Sequence, residues 1–178
     1  MTNSNLCDLD PGDQSPGVVR MIVEIPKGSR NKYEYDPALQ LFRVDRPLYV
    51  PLNYPGDYGF IPGTLSEDGD PLDILALVSE PSYPEIVLFA RPVGLLDLVD
   101  RGQPDQKVLA AADRDPRFGE VRSVDQVWPH SLREIEEFFA IYKKLEDKPV
   151  KVNGWRGEDD ARRLIVACRE RYLKSHRA

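Results

Sequence analysis

Apolar residues recur along this chain with two periods in turn, first near two and then near 3.6. Val18–Pro26 is rich in β-branched residues and closes on a proline, which predicts a strand with Glu24 pointing out of it near its end. Lys32-Tyr33-Glu34-Tyr35-Asp36 alternates charge with aromatic, so a strand there sets Lys32, Glu34 and Asp36 on one face and both tyrosines on the other. Leu41–Val44, Ile74–Val78, Ile86–Pro92 and Lys107–Ala111 add further short strands at the close spacing of a small barrel. Residues 47–63 carry Pro47, Pro51, Pro55 and Pro62 with Gly56, Gly59 and Gly63, a density that excludes helix. From Ser131 the period changes: Leu132, Ile135, Phe138, Phe139, Tyr142 and Leu145 form one helical stripe, opened by a Ser131/Glu134 capping box. A second helix is predicted from about Glu158, with Ala161, Leu164, Ile165, Cys168 and Tyr172 facing inward. Strands first and helices last make an α+β fold, a barrel core with helices packed on it.

Residues 1–17 are rich in Asp, Asn, Ser, Gly and Pro, the composition of a mobile polar leader, so the expected organisation is a leader followed by one domain over 18–178. At 178 residues and 41 % apolar content the chain is long enough to hold a core without staples. A net charge of −6 argues against a broad nucleic-acid face, because phosphate-backbone affinity rests on Lys and Arg. The two cysteines, Cys7 and Cys168, suggest no disulfide framework and a reducing compartment. The start reads as no signal peptide, and apolar runs such as Ile74–Val78 fall far short of the ~20 residues a membrane helix needs. A cytoplasmic protein is expected.

Asp68-Gly69-Asp70-Pro71-Leu72-Asp73 crowds three carboxylates into six residues ahead of an apolar strand. They repel one another unless solvent screens them or a cation neutralises them, and read alone the segment is equally a solvated turn. Its sixth and twelfth positions, Asp73 and Ser79, do not fit a calcium-binding helix–loop–helix motif. Asp97, Asp100 and Asp105 form a second acidic cluster, and the stretch Leu98–Gln106 reads alone as a polar hairpin loop. Hard oxygen donors suit magnesium, manganese or calcium, and with only His130 and His176 available zinc is disfavoured. Lys32, Arg46, Lys107 and Lys143, with Tyr54, Tyr58 and Tyr142, interleave cations and phenols with these acids. The sequence has no phosphate-binding P-loop, dinucleotide fingerprint or serine-hydrolase elbow.

Together these segments resemble the soluble inorganic pyrophosphatases of the magnesium-dependent, barrel-type class. The residues that carry the resemblance are Glu24-Ile25-Pro26, Lys32-Tyr33-Glu34, Val44-Asp45-Arg46, Tyr54-Pro55 with Tyr58-Gly59, Asp68 to Asp73, Arg91 to Gly94, Asp100 with Asp105 and Lys107, Phe138-Phe139 with Tyr142-Lys143, and Val150 to Trp155. The resemblance implies a five-stranded OB-like barrel and hydrolysis of pyrophosphate to two phosphates. It implies magnesium at Asp68, Asp73, Asp100 and Asp105, with manganese as a substitute, and Asp70 as the base for the attacking water. Lys32, Arg46, Tyr58, Lys107, Tyr142 and Lys143 would then contact phosphate, Glu24 and Glu34 would form an outer metal shell, and Tyr54 would line the site. The compact length implies a homohexamer, with neither nucleic acid nor membrane as partner. Two other readings stay open from the residues themselves, a metal-bearing OB-type binding module and a phosphatase acting on organic esters or nucleotides. The acid-rich site speaks against the first, and substrate comparison would separate the second.

Overall fold

The computed structural model describes residues 5–148 and 150–176. In chain order it contains β1 (Val19–Ile25), β2 (Asn31–Asp36), β3 (Leu41–Pro47), β4 (Asp57–Ile61), β5 (Leu72–Leu77), β6 (Val87–Asp100), β7 (Gln103–Pro104), β8 (Lys107–Ala112), the helix α1 (Pro129–Ile141), β9 (Val150–Gly157) and the helix α2 (Glu158–Ser175). Five strands close into a ring in the order β1, β4, β5, β8, β6 and back to β1, as the OB-like expectation requires. All ring pairings are antiparallel except β5 with β8. β2 and β3 form a separate hairpin.

Closure depends on two strands that each serve two neighbours. β1 pairs with β6 through Val19–Ile22 and with β4 through Ile22–Ile25, with an irregularity between Val23 and Ile25. β6 pairs in turn with β1, β8 and β9, and its register shifts between Pro92 and Gly94. Such shifts bend a strand, which lets one long strand turn the barrel's corner. The β1–β4 contact is close enough that a Cβ on Gly59 would sit 1.9 Å from the Ile22 carbonyl oxygen, so only glycine fits there.

β8 is buried along its whole length because its two faces enter different cores. Leu109 and Ala111 join a cluster with Ile135, Phe138 and Phe139 of α1 and with Tyr142 just past it, while Val108, Ala110 and Ala112 join one with Ala161, Ile165 and Cys168 of α2. The two helical stripes read from the sequence therefore each cover a face of strand residues except at their ends: Leu145 lies past α1 and is 61 % exposed, and Tyr172 is half-buried with its hydroxyl on Asp8.

Four local expectations change. α1 begins at Pro129, so Ser131 is already its third residue and makes no cap; the fixed φ of a proline at the first helical position starts the helix instead. Leu98–Gln106 is largely strand: β6 continues to Asp100, and the chain reverses at Arg101 and Gly102, both with positive φ. β9 has no sequence signal of its own, because its residues are mixed in polarity and only half-buried, and β6 supplies its pairing. Residues 5–17, expected within a mobile leader, are packed: Pro11 is buried and its carbonyl accepts from the Arg20 N–H at 2.7 Å. Residues 1–4 lie outside the described residues.

Candidate active site

The acidic loop is built by local backbone chemistry. Gly69 takes φ +95°, the Asp68 carboxylate accepts from the Asp70 N–H at 3.1 Å, and the Ser66 N–H donates to the Asp70 carbonyl at 2.7 Å. Thr64 staples its base: its hydroxyl donates to the Ile61 carbonyl at 2.5 Å and accepts from the Leu72 N–H at 3.0 Å. Pro71 then releases the chain into β5, where strand alternation buries Leu72 and Ile74 and leaves Asp73 between them half-buried.

Across from this loop, the end of β6 brings Asp100, the chain leaving β7 brings Asp105, and the start of β8 brings Lys107. Lys107 is 4 % exposed and bonds both Asp73 and Asp105. Lys143, just past α1, donates to Asp100 Oδ2 at 2.6 Å. Lys32 bonds Glu34 and lies 3.5 Å from Asp45. These groups surround one cavity of about 670 Å³, lined by Glu24, Lys32, Glu34, Tyr58, Asp68, Asp70, Asp73, Asp100, Asp105, Lys107, Tyr142 and Lys143 among others. Twelve of the fourteen positions expected from the sequence meet there.

The other two do not line it. Tyr54 is 2 % exposed and its ring packs between those of Tyr58 (5.5 Å) and Phe138 (4.8 Å), so it supports the site from the core. Arg46 pairs across the hairpin from Lys32, bonds Asp45, and reaches Glu146 at 2.6 Å. Glu146, a hundred residues away, gave no sequence signal. Arg101, at the turn after β6, also lines the cavity and holds its Nε 3.8 Å from Asp100 Oδ1. Asp97 is accounted for elsewhere: Arg156 on β9 donates to it at 2.5 Å, and it does not line the cavity.

Charge is under tension throughout. Seven carboxylates face four cations around the cavity. Burial pushes the Glu24 carboxyl up to about 8, against the Tyr35 N–H bond that favours its charged form and with Asp73 adding repulsion. Burial, then Asp68 and Asp73, also raise Asp70. Burial alone would depress Lys107; Asp73 and Asp105 outweigh it and hold the ammonium charged. Burial takes Tyr58 well above the phenol range, so its hydroxyl is a neutral hydrogen-bonding group.

Among the described residues no three acidic, histidine or cysteine side chains form a ready-made metal cage. The donor set nevertheless fits a hard divalent cation. All its members are carboxylate oxygens, and Asp100 Oδ1 is buried without a hydrogen-bond partner, an arrangement a protein rarely leaves uncompensated.

Fold and cavity together define an OB-type barrel enzyme whose polar chemistry converges on one cavity. The family model for inorganic pyrophosphatase matches residues 21–173. An inorganic pyrophosphatase of Nostoc sp. is 47 % identical over 155 residues, covering 87 % of this chain and 92 % of that one. One from Methanosarcina mazei is 46 % identical, covering 86 % and 91 %. The crystal structure of inorganic pyrophosphatase from Thermus thermophilus superposes with a TM-score of 0.93 at 45 % identity, covering 96 % of this chain and 99 % of that chain. The chain belongs to the inorganic pyrophosphatase family.

Proposed function

We propose that this chain hydrolyses inorganic pyrophosphate to two orthophosphates in the described cavity, with Asp70 as general base and Asp68, Asp73, Asp100 and Asp105 as the residues that hold magnesium, or manganese in its place. The observation that carries the reading is convergence: segments from Glu24 to Lys143 deliver carboxylates, lysines and phenols to one cavity. Pyrophosphate and these carboxylates repel each other, so the substrate needs positive charge already in place. When bound, the metal would supply that charge and lower the pKa of water near it.

The protein's own groups do the rest. Asp70 is solvent-exposed in the acidic loop, yet partial desolvation and the charges of Asp68 and Asp73 raise its proton affinity, which makes it a stronger base than a carboxylate standing alone in water. Lys107 and Lys143 are anchored on Asp73, Asp105 and Asp100, so their ammonium charges accompany the metal-holding carboxylates. With Lys32 they would neutralise phosphate oxygens, the electrostatic work that dominates phosphoryl transfer, while Tyr58 and Tyr142 would give neutral hydrogen bonds and Arg46 would reach phosphate only on leaving Asp45 and Glu146. Glu24 and Glu34, which line the same cavity, would form the outer metal shell.

No described helix is long and apolar enough to cross a membrane. A homohexamer and a cytoplasmic location complete the proposal, and light scattering checks the first. The deciding test of function is phosphate release from pyrophosphate in magnesium, run beside chelator, ATP and a simple phosphomonoester. Release that needs metal and spares ATP and the ester supports the reading. No release with any divalent metal overturns it and favours a binding module.

A further inference from the structure

The segment before β1 lies outside the part of the chain that the family model matches, yet it touches the cavity's supports on two sides. Leu6–Asp8 forms a single 3-10 turn capped by Asn5, and Leu6, Cys7 and Leu9 pack on Ile22, Tyr35 and Phe60. The Leu6 N–H donates to the Tyr35 hydroxyl at 3.1 Å. Tyr35 is held further by its ring, which rests 5.2 Å from Phe42 and 6.2 Å from Phe60. Its backbone N–H points the other way and donates to Glu24 Oε1 at 2.8 Å. Strand β2 pairs only with β3 in the sheet, so this bond ties the hairpin to the barrel at the cavity wall.

The same segment grips the root of the acidic loop. The Gly63 N–H donates to the Cys7 carbonyl at 2.7 Å, and Gly63 has φ +63° with space for no Cβ, which would lie 2.7 Å from the Leu9 carbonyl oxygen. Arg169 of α2 donates to the Gly63 carbonyl at 3.0 Å and to Asp10 at 2.8 Å, and the Tyr172 hydroxyl donates to Asp8 at 2.9 Å. One residue on from Gly63 is Thr64, the staple of the Asp68–Asp73 loop.

We propose that Tyr35, latched by Leu6–Asp10, is a positioning residue: it fixes the Glu24 carboxylate in the cavity while the same latch steadies the root of the acidic loop. This rests on the function proposed above. Tyr35 lines the cavity beside Glu24, and the role assigned to it is exerted through Glu24.

Tyr35→Phe removes only the hydroxyl that receives the Leu6 N–H and keeps the ring and the Glu24 bond. A second variant lacks residues 1–10. Magnesium binding is read by calorimetry without substrate, KM and kcat for pyrophosphate are read separately, and melting is followed in chelator. The expected result for Tyr35→Phe is magnesium binding weakened and KM raised by about two- to tenfold, the span of one net hydrogen bond. The truncation shifts both further in the same direction. A purely structural role lowers the melting temperature and leaves metal affinity and KM where they were. Unchanged magnesium affinity and KM in Tyr35→Phe overturn the proposal, whatever the truncation does, including failure to fold. If the unaltered chain releases no phosphate at all, the functional reading fails on its own, and the calorimetry still decides whether Tyr35 positions the metal-binding groups.

Discussion

The molecule draws carboxylates wholly or partly out of solvent in two places and treats them in opposite ways. Asp57, at the start of β4, is 0 % exposed and accepts from the Lys27 N–H at 2.8 Å, the Ser82 N–H at 3.2 Å and the Ser82 hydroxyl at 2.5 Å. Nearby, Asp115 accepts from the Ser79 N–H and hydroxyl, each at 2.6 Å, and these donors outweigh its burial and lower its pKa. In the cavity, desolvation and neighbouring acids raise Glu24 and the exposed Asp70, and Asp100 keeps an oxygen with no hydrogen bond. The Asp57 region is complete within the chain, supplied by neutral donors that cost nothing to hold in place. The cavity sets seven carboxylates against four cations, an excess that charge from outside would balance. Folding and function thus draw on the same residue type, and what separates them is whether the chain itself satisfies the group.

The largest effects should split along this line. Asp70→Asn is expected to lose on the order of a hundredfold or more in turnover, as removal of a general base does, while calorimetry still finds magnesium bound. Near-normal turnover would remove Asp70 from its role. Asp57→Ala should do the reverse. It strands three half-buried donors and should cost on the order of 3 kcal/mol in urea unfolding, with kcat per folded molecule unchanged. A stability loss at Asp70 as large as that at Asp57 would erase the distinction between the two regions.

Metal removal gives the next contrast. Magnesium at about a hundred times its Kd should stabilise the unaltered chain by about 2.7 kcal/mol over the chelated state. Asp57→Ala should keep that increment, being far from the ligands in role, whereas Asp100→Asn should lose most of it. Thermal melts with and without magnesium read all three. Equal increments in the two variants would show that metal binds elsewhere.

How far the sequence carries depends on where each partner lies along the chain. The acidic loop, both helical stripes and most strands are visible because their signals are local: alternation, a turn glycine, a proline at a boundary. Twelve candidate residues reach the cavity because each sits on, or one turn beyond, such an element. What stays hidden is set by distant pairing. β9 exists because β6 runs past the expected end at Pro92 to Asp100 and offers it an edge. Arg46 leaves the lining because Glu146 and Asp45 draw it aside. The segment Leu6–Asp10 looks like leader by composition, since its anchors, Tyr35, Gly63, Arg169 and Tyr172, lie from about thirty to more than a hundred and sixty residues away.

The smallest effect to resolve is the pH dependence of the metal-free protein, where the two regions should pull in opposite directions. Glu24 is raised from 4.5 to about 8 in the fold, chiefly by burial, so the folded state favours its protonated form. Its contribution to stability is fully present below pH 4.5 and is lost as pH rises through 8. Asp115 is lowered, so its contribution is present above the ordinary carboxylate value and is lost as pH falls through its depressed one. Melting in chelator from about pH 3 to pH 9 should therefore show an acid-side loss that Asp115→Asn flattens and an alkaline-side loss that Glu24→Gln flattens. A Glu24→Gln curve parallel to the unaltered one across the alkaline side would mean that the cavity holds its carboxylates as comfortably as the Asp57 region does, and that its strain is relieved without metal.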